Sequence, residues 1–304
     1  MDILSRLIDL AGLRTSLDIR CRLEGAFEID HEPAARGVIP FHVVLSGNCR
    51  LRLPDRRVVE LTAGDFLMLP RGEAHLIVGR ESGAGPRPVR LIHDGMLPVR
   101  ENGEGAPDVD LLCGHFDSAT GSSSLLLDTL PDVFHASLAG AQSEETLKLL
   151  VGILRDEAMH QEAGALTIAT AICLALLTMA LRAQNTAALG TAGLLALIAN
   201  PRFSRALKAV IANPAEDWTI DRLASLSAMS RATYARQFKE TSGMTVAGFL
   251  TDLRMTLAND LLIRTRRTVA DIAVEVGYDS EAAFGKAFKA RRGVPPARFR
   301  QQMA

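Results

Sequence analysis

Between residues 20 and 80 the apolar residues come in short, closely spaced runs: FHVVLSG, NCRLRLPD, RRVVELTAGD and DFLMLPRGE, punctuated by Gly47, Pro54, Gly64 and Gly72. β-rich runs broken this often by turn formers predict the short strands of a sandwich or small barrel. The glycine- and proline-rich stretch 81–107 predicts a surface loop around one short strand, after which VDLLCGHFD returns to strand character. From about Leu125 onward helical spacing takes over. Leu147, Leu150, Val151 and Leu154 fall on one face of a helix over Glu144–Met159. Ala163–Leu181 then runs 19 residues without a charge, long enough to span a bilayer. Thr167, Thr170 and Thr178, its many small residues and its amphipathic neighbour favour a buried or subunit-packing helix with no membrane partner. The small-residue stretch NTAALGTAGLLALIANP reads as a hinge, dividing the chain into 1–185, a linker at 186–199, and 200–304.

The last hundred residues carry one design twice. In WTIDRLASLSAMSRATYARQFKETSG a short helix from Ile220 meets a tight turn, and a second helix starts at Ser230 and stops at Gly243. In TVADIAVEVGYDSEAAFGKAFKARRG a helix capped by Thr268 turns at Gly277, and its successor runs from Ser280 to Gly293. Ala224 and Ala273 sit midway along the first helices, where a small side chain lets two helices cross closely. Phe238-Lys239 and Phe288-Lys289 occupy equivalent places in the second helices. Short helix, turn and second helix make a helix-turn-helix unit, whose second helix enters the DNA major groove.

Groove chemistry assigns expected roles. Arg231, Ala232, Thr233 and Arg236 in the first unit, and Glu281, Ala282, Ala283 and Lys286 in the second, lie where base edges are met. Arginine pairs bidentately with guanine, alanine and the threonine methyl touch the thymine methyl, and glutamate accepts from cytosine. Lys239, Lys289, Arg291, Arg292, Arg298 and Arg300 are expected on phosphates, where they set register without reading sequence.

These residues also carry a family resemblance. Residues 200–302 resemble the DNA-binding domain of AraC/XylS-type transcriptional regulators, most closely in DIAVEVGYDSEAAFGKAFKARRGVPPARFRQ with Pro295-Pro296 ahead of Phe299. The resemblance implies two helix-turn-helix units joined by a long helix, here about Thr245–Ile263, reading successive major-groove segments. One departure stands out: Ala282, Ala283 and Gly285 leave the second reading face poor in donors, which points to phosphate contact and DNA shape there.

Charge agrees with two jobs. The chain has 304 residues and a net charge of −1, but residues 200–304 hold 17 basic and 10 acidic groups while residues 1–199 hold 17 and 25. A basic C-terminal part suits a polyanion. The length allows two domains, and 48% apolar residues exclude a disordered chain. Four scattered cysteines form no CxxC pair, and the N-terminus MDILSRLIDLAGLRTSLDIR lacks a basic stretch leading into a long apolar core. A cytoplasmic protein with reduced thiols is expected.

The N-terminal half carries a second resemblance. Gly64-Asp65-Phe66-Leu67-Met68-Leu69-Pro70-Arg71-Gly72-Glu73-Ala74-His75 resembles the second cupin motif. The first motif is degraded: His42 stands at its first ligand position, Val44 replaces its second histidine, and its glutamate is missing. The layout is similar to the cupin-type regulators that include reactive-chlorine-responsive activators. The resemblance implies a barrel that senses rather than catalyses. His42, His75 and Cys113 make a candidate Zn²⁺ set, and Cys21 or Cys113 a candidate redox sensor. An organic effector against Phe41, Val43, Leu67 and Leu69 is a third expectation; alternation admits only some of these inward. Cys49 and Cys173 read as structural thiols, and His31, His93, His115, His135 and His160 have no telling spacing.

The expected fold class is therefore α+β in two domains: an N-terminal cupin-like β-barrel followed by helices, and a C-terminal all-α domain with two helix-turn-helix units. The expected function is a sequence-specific transcriptional regulator, an activator, that binds promoter DNA as a homodimer and senses a small molecule, metal or oxidant. A metal-dependent cupin enzyme fused to a DNA-binding module is the alternative, and it requires the HxH…E set that this sequence lacks.

Overall fold

The computed structural model describes residues 2–80, 87–93, 97–118, 125–138, 144–160, 162–186 and 193–303. Two compact units emerge, and neither is continuous in sequence: a barrel unit of Arg14–Asp117 with Pro131–Gln184, and a helical unit of Met1–Leu13, Ser118–Leu130 and Asn185–Ala304. This grouping by packing differs from the colinear division at 185 read from the sequence. The N-terminal helix α1 (Ile3–Ala11), capped by Asp2, buries Ile3, Leu7, Leu10 and Ala11 and packs within the helical unit. Part of the expected linker is helix too, α4 (Leu194–Ala199), with Leu194, Leu195 and Leu197 buried. Its 187–192 portion lies outside the described residues.

The barrel unit is built on β1 (Leu13–Leu23), β2 (Glu28–His31), β3 (Val38–Arg52), β4 (Val58–Thr62), β5 (Asp65–Met68), β6 (His75–Val78), β7 (Arg90–Ile92), β8 (Val99–Glu101), β9 (Val109–Ser118) and β10 (Phe134–Ser137). The main sheet runs β10-β5-β3-β9-β1-β8-β7, and β3 also pairs with β4 and β6, with β2 beyond β6. FHVVLSG and NCRLRLPD are thus one strand, β3, where the sequence pattern suggested two. Gly47 bends this strand instead of ending it, beside a register shift between Val44 and Ser46. Its φ is +79°, and a Cβ there would lie 1.7 Å from the Asp108 carbonyl oxygen, so only glycine fits.

Alternation sorts the side chains. Cys21, Leu23, Val44, Leu51, Leu67, Leu69, Leu111 and Cys113 point into one apolar core. Phe41 lies on the opposite face of its sheet, its ring 4.5 Å from Phe116 and 5.8 Å from Phe66. Of the four expected effector contacts, Leu67 and Leu69 belong to the interior core. Arg20 and Asp110, both buried, form a bidentate pair at 2.9 and 2.7 Å that ties β1 to β9. The helices α2 (Glu144–His160) and α3 (Ala165–Thr186) complete this unit. One face of α3 is buried through Ala165, Ala169, Ile172, Cys173, Leu176, Leu177, Ala180 and Leu181, while Leu166 and Ile168 are exposed.

The helical unit continues with α5 (Pro201–Ala212), α6 (Ile220–Leu226), α7 (Arg231–Ser242), α8 (Val246–Arg264), α9 (Val269–Glu275), α10 (Glu281–Arg292) and α11 (Pro296–Met303). The starts and stops are those the sequence signals. Thr219, Ser230, Thr245, Thr268 and Ser280 cap their helices, and Gly243 and Gly293 end α7 and α10 in the left-handed region. Ala224 and Ala273 are buried midway along α6 and α9. Phe203, Tyr234, Phe238 and Phe249 form one aromatic cluster, and Tyr278, Phe284, Phe288 and Phe299 form its counterpart.

The two turns meet the same backbone demand differently. Gly277 has φ +86°, while its equivalent Ala228 has φ +52°. A Cβ at Gly277 would sit 2.8 Å from Ala215 Cα. Gly277→Ala is expected to cost about 2–3 kcal/mol through left-handed strain and this clash. Ala228→Gly should fall within about 1 kcal/mol of neutral, on the stabilising side, because strain relief offsets added unfolded-state freedom. Urea unfolding of the two variants measures both.

Candidate functional site

The exposed positions on the second helices are built from beneath. In α7 the buried Tyr234 and Phe238 fix the helix to its core, leaving Arg231, Ala232, Arg236 and Lys239 exposed. Thr233 is only half-exposed, and its hydroxyl accepts from Ser230 Oγ at 2.9 Å, so it belongs to the cap. In α10 Phe284 and Phe288 do the same work, leaving Glu281, Ala282, Ala283, Lys286 and Lys289 exposed. Arg231 pairs with Asp221 of α6 at 2.6 Å, and Arg236 with Glu240 at 3.1 Å. Exposed pairs of this kind are worth about 0.2–1 kcal/mol, little enough for a phosphate or base edge to displace. The reading of the sequence missed both carboxylates, although Glu240 lies four residues after Arg236, the helical pairing distance.

Two expected phosphate contacts are corrected by the structure. Arg292 is half-buried, and the Asn259 amide, with its oxygen toward the guanidinium, accepts from Nε at 3.0 Å and Nη2 at 2.8 Å. Arg300 donates to the carbonyls of Leu262 at 3.2 Å and Arg267 at 2.6 Å, tying α11 to the end of α8. Both cations hold helices together because a buried amide and helix-terminal carbonyls need partners. Arg291 pairs with Asp252 at 3.2 Å, and Arg298 is exposed.

The second site lies inside the barrel. Register places His42 of β3 opposite Cys113 of β9, and His31 of β2 opposite His75 of β6. His42 Nε2 and His75 Nε2 are 2.8 Å apart, and the His31 and His75 rings stack at 4.4 Å. One donor atom from each of His31, His42 and Cys113 lies within 4.8 Å of the others. Of the three candidate ligands read from the sequence, His42 groups with Cys113 and its ring nitrogen meets His75, while His31, which no spacing singled out, takes the third place beside His42 and Cys113. The only sequence signal for it is alternation with the buried Ile29.

Burial lowers the pKa of all three imidazoles, and repulsion from neighbouring imidazoles adds to it at His31 and His42: His31 falls to about 4, His42 well below its usual value, and His75 below it. The Nδ1 atoms of His31 and His42 are buried without a hydrogen-bond partner. His75 Nδ1 donates to the Glu73 carbonyl at 3.0 Å. The Cys113 thiol is held well above its normal pKa by a hydrogen bond with the Cys21 thiol and by burial. Cys49 and Cys173 are each pushed up to about 12 by burial, as structural thiols are.

Residues 2–185 match the Cupin family and residues 223–302 the Helix-turn-helix domain family. The chain is 32% identical over its full length to an "Uncharacterized HTH-type transcriptional regulator" of Haemophilus influenzae, itself fully covered. It is 31% identical to a "Putative AraC-like transcription regulator" of Streptomyces lividans, over 99% of this chain and 98% of that one. The chain belongs to the AraC-type transcriptional regulators with an N-terminal cupin domain. A third relative is the "RCS-specific HTH-type transcriptional activator RclR" of Escherichia coli, 28% identical over all of this chain and 98% of that one. This cupin-domain regulator binds DNA through its helix-turn-helix domain; it is a regulator and not an enzyme.

A pH dependence follows for metal-free protein. The unfolded chain takes up protons near the ordinary histidine pKa of about 6.5, whereas folded His31 waits until about 4. Between those values the unfolded state binds more protons, so stability falls as pH drops through the window and is restored above it. Thermal melts of chelator-treated protein from pH 7.5 to 4 should show this loss, shallower in His31→Phe.

Proposed function

We propose that this regulator activates transcription by binding promoter DNA as a homodimer, with α7 and α10 as the reading helices, in response to a signal received inside the barrel. The observation that carries the DNA reading is the duplicated helix-turn-helix unit, each with a capped second helix that is aromatic beneath and exposed and basic above. Arg231, Arg236 and Lys286 are the base-reading donors, and Lys239 and Lys289 the phosphate contacts. Ala232, Glu281, Ala282 and Ala283 complete the reading faces. Self-association is assigned to α2 and α3, where Leu149 (63% exposed), Met159 (58%), Leu166 (47%) and Ile168 (42%) are apolar residues left uncovered in one chain. A dimer binding two sites gains effective concentration for the second. The site of action is the cytoplasm, where promoter DNA lies.

Two signals fit the barrel interior. A Zn²⁺-class cation held by His42, His75 and Cys113 is favoured, because neutral imidazoles beside a thiol are cation donors. Oxidation of Cys21 and Cys113 is the second reading, favoured by their shared hydrogen bond. Hypochlorous acid would take both thiols to a disulfide, releasing water and chloride with a proton. Against it, both thiols are buried, and Cys113 is held in its less reactive protonated form.

Fluorescence anisotropy with promoter DNA tests the assignment. Arg236→Ala is expected to cost about 1–3 kcal/mol and to relax preference at one base position, while Lys289→Ala should weaken all sequences alike and reduce the salt slope by about one. The same assay on reduced, hypochlorite-treated and chelator-treated protein separates the two signals. DNA affinity indifferent to all three would mean an inert barrel.

A further inference from the structure

The buried histidines ask for more than a three-ligand site. With His75 Nδ1–H donating to the Glu73 carbonyl, His75 Nε2 is left as a lone pair facing His42 Nε2. His42 Nε2 must then carry the proton, which leaves its Nδ1 a second lone pair, buried and unpartnered. His31 stands beside it, its ring 5.1 Å from that of His42 and a donor atom within 4.8 Å of those of His42 and Cys113. Natural interiors rarely leave such atoms orphaned, and a cation satisfies lone pairs that no donor reaches.

The strands deliver the donors as two cross-strand pairs. His42 and Cys113 come from the sheet containing β3, β5 and β9, and His31 and His75 from the sheet containing β2 and β6. We propose that His31, His42, His75 and Cys113 together form a closed, tetrahedral His3Cys centre for a borderline cation of the Zn²⁺ class, with His31 as the fourth protein ligand. This rests on the reading that the barrel interior receives the signal, and it deepens that reading by naming the ion class and the full ligand set.

The geometry suits such an ion. Bonds of about 2.0–2.1 Å to nitrogen and about 2.3 Å to sulfur put tetrahedral donors about 3.3–3.6 Å apart. Donor atoms of His31, His42 and Cys113 lie within 4.8 Å of one another, and His75 Nε2 lies 2.8 Å from His42 Nε2, so His75 reaches the set through His42. Three nitrogens and a thiolate exclude Mg²⁺ and Ca²⁺, which take oxygen. Binding deprotonates Cys113, the proton passing to solvent, and the Cys21 thiol then donates to the bound thiolate as an outer-shell partner. Four protein ligands leave no open position for substrate, as in structural rather than catalytic sites.

The test uses the full chain and reads the metal, not DNA binding. Chelator-treated protein is titrated with Co²⁺ alone, then with Zn²⁺. One Co²⁺ per chain is expected, with intense tetrahedral visible bands and a thiolate-to-cobalt charge-transfer band, both displaced by Zn²⁺. Cys113→Ser should remove the charge-transfer band. His31→Gln should weaken Zn²⁺ binding by more than about tenfold, and the exposed His93→Ala should match wild type. In wild-type protein Zn²⁺ should protect Cys113 from alkylation, which keeps the test valid if a variant misfolds. Weak octahedral cobalt bands, a charge-transfer band surviving in Cys113→Ser, or unaltered Zn²⁺ affinity in His31→Gln would each overturn the proposal. Zn²⁺ bound as expected but without effect on DNA affinity would leave the centre standing and remove only its signalling role.

Discussion

Strand β3 belongs to both sheets of the barrel unit, and the arrangement of that unit depends on its register. Its first half pairs with β5 and β9, and its second half with β4 and β6. Side chains alternate along a strand, so a slip of one residue would turn His42 outward and Phe41 inward. The register is held by the Gly47 bend, which no other residue can make against the Asp108 carbonyl. It is held also by the Phe41–Phe66–Phe116 stack on one face and the leucine core on the other. Fully burying each such aromatic or aliphatic side chain is worth about 1.5–3 kcal/mol, so a slip would forfeit several of these at once. Polar groups can remain inside only because the apolar packing around them leaves no alternative register.

The helical unit rests on different physics. Each helix-turn-helix unit is held by a small-residue crossing at Ala224 or Ala273, an aromatic cluster beneath the second helix, and a hydroxyl cap at each helix start. These features use the buried face alone, which frees the exposed face for DNA chemistry. Cations that look alike in sequence part ways here. Lys286 and Lys289 are exposed, whereas Arg292 and Arg300 satisfy the Asn259 amide and the Leu262 and Arg267 carbonyls.

Chain connectivity joins the two halves. Strand β1, which carries Cys21, begins immediately after α1, and β9, which carries Cys113, leads into Ser118–Leu130. Both flanking segments belong to the helical unit. The strands that bear the thiol pair are therefore covalently continuous with segments of the DNA-binding half.

Local physics made the helical unit legible. Caps, turn glycines and helical periodicity act over three to five residues, so Ser230, Thr268, Gly277 and Gly293 announced the helix-turn-helix units by themselves, whereas the cupin barrel was read from the resemblance of Gly64–His75 to a family motif. The packing of the N-terminal helix and Ser118–Leu130 with the helical unit was not legible, because only long-range packing decides which core an amphipathic segment joins. His31 escaped notice for the same reason: its partners lie 11, 44 and 82 residues along the chain, and strand pairing, not spacing, brings them together. The sequence determined which residues were available for chemistry. The tertiary structure decided which of them meet, because alternation, register and burial are properties of paired strands and packed helices rather than of any one segment.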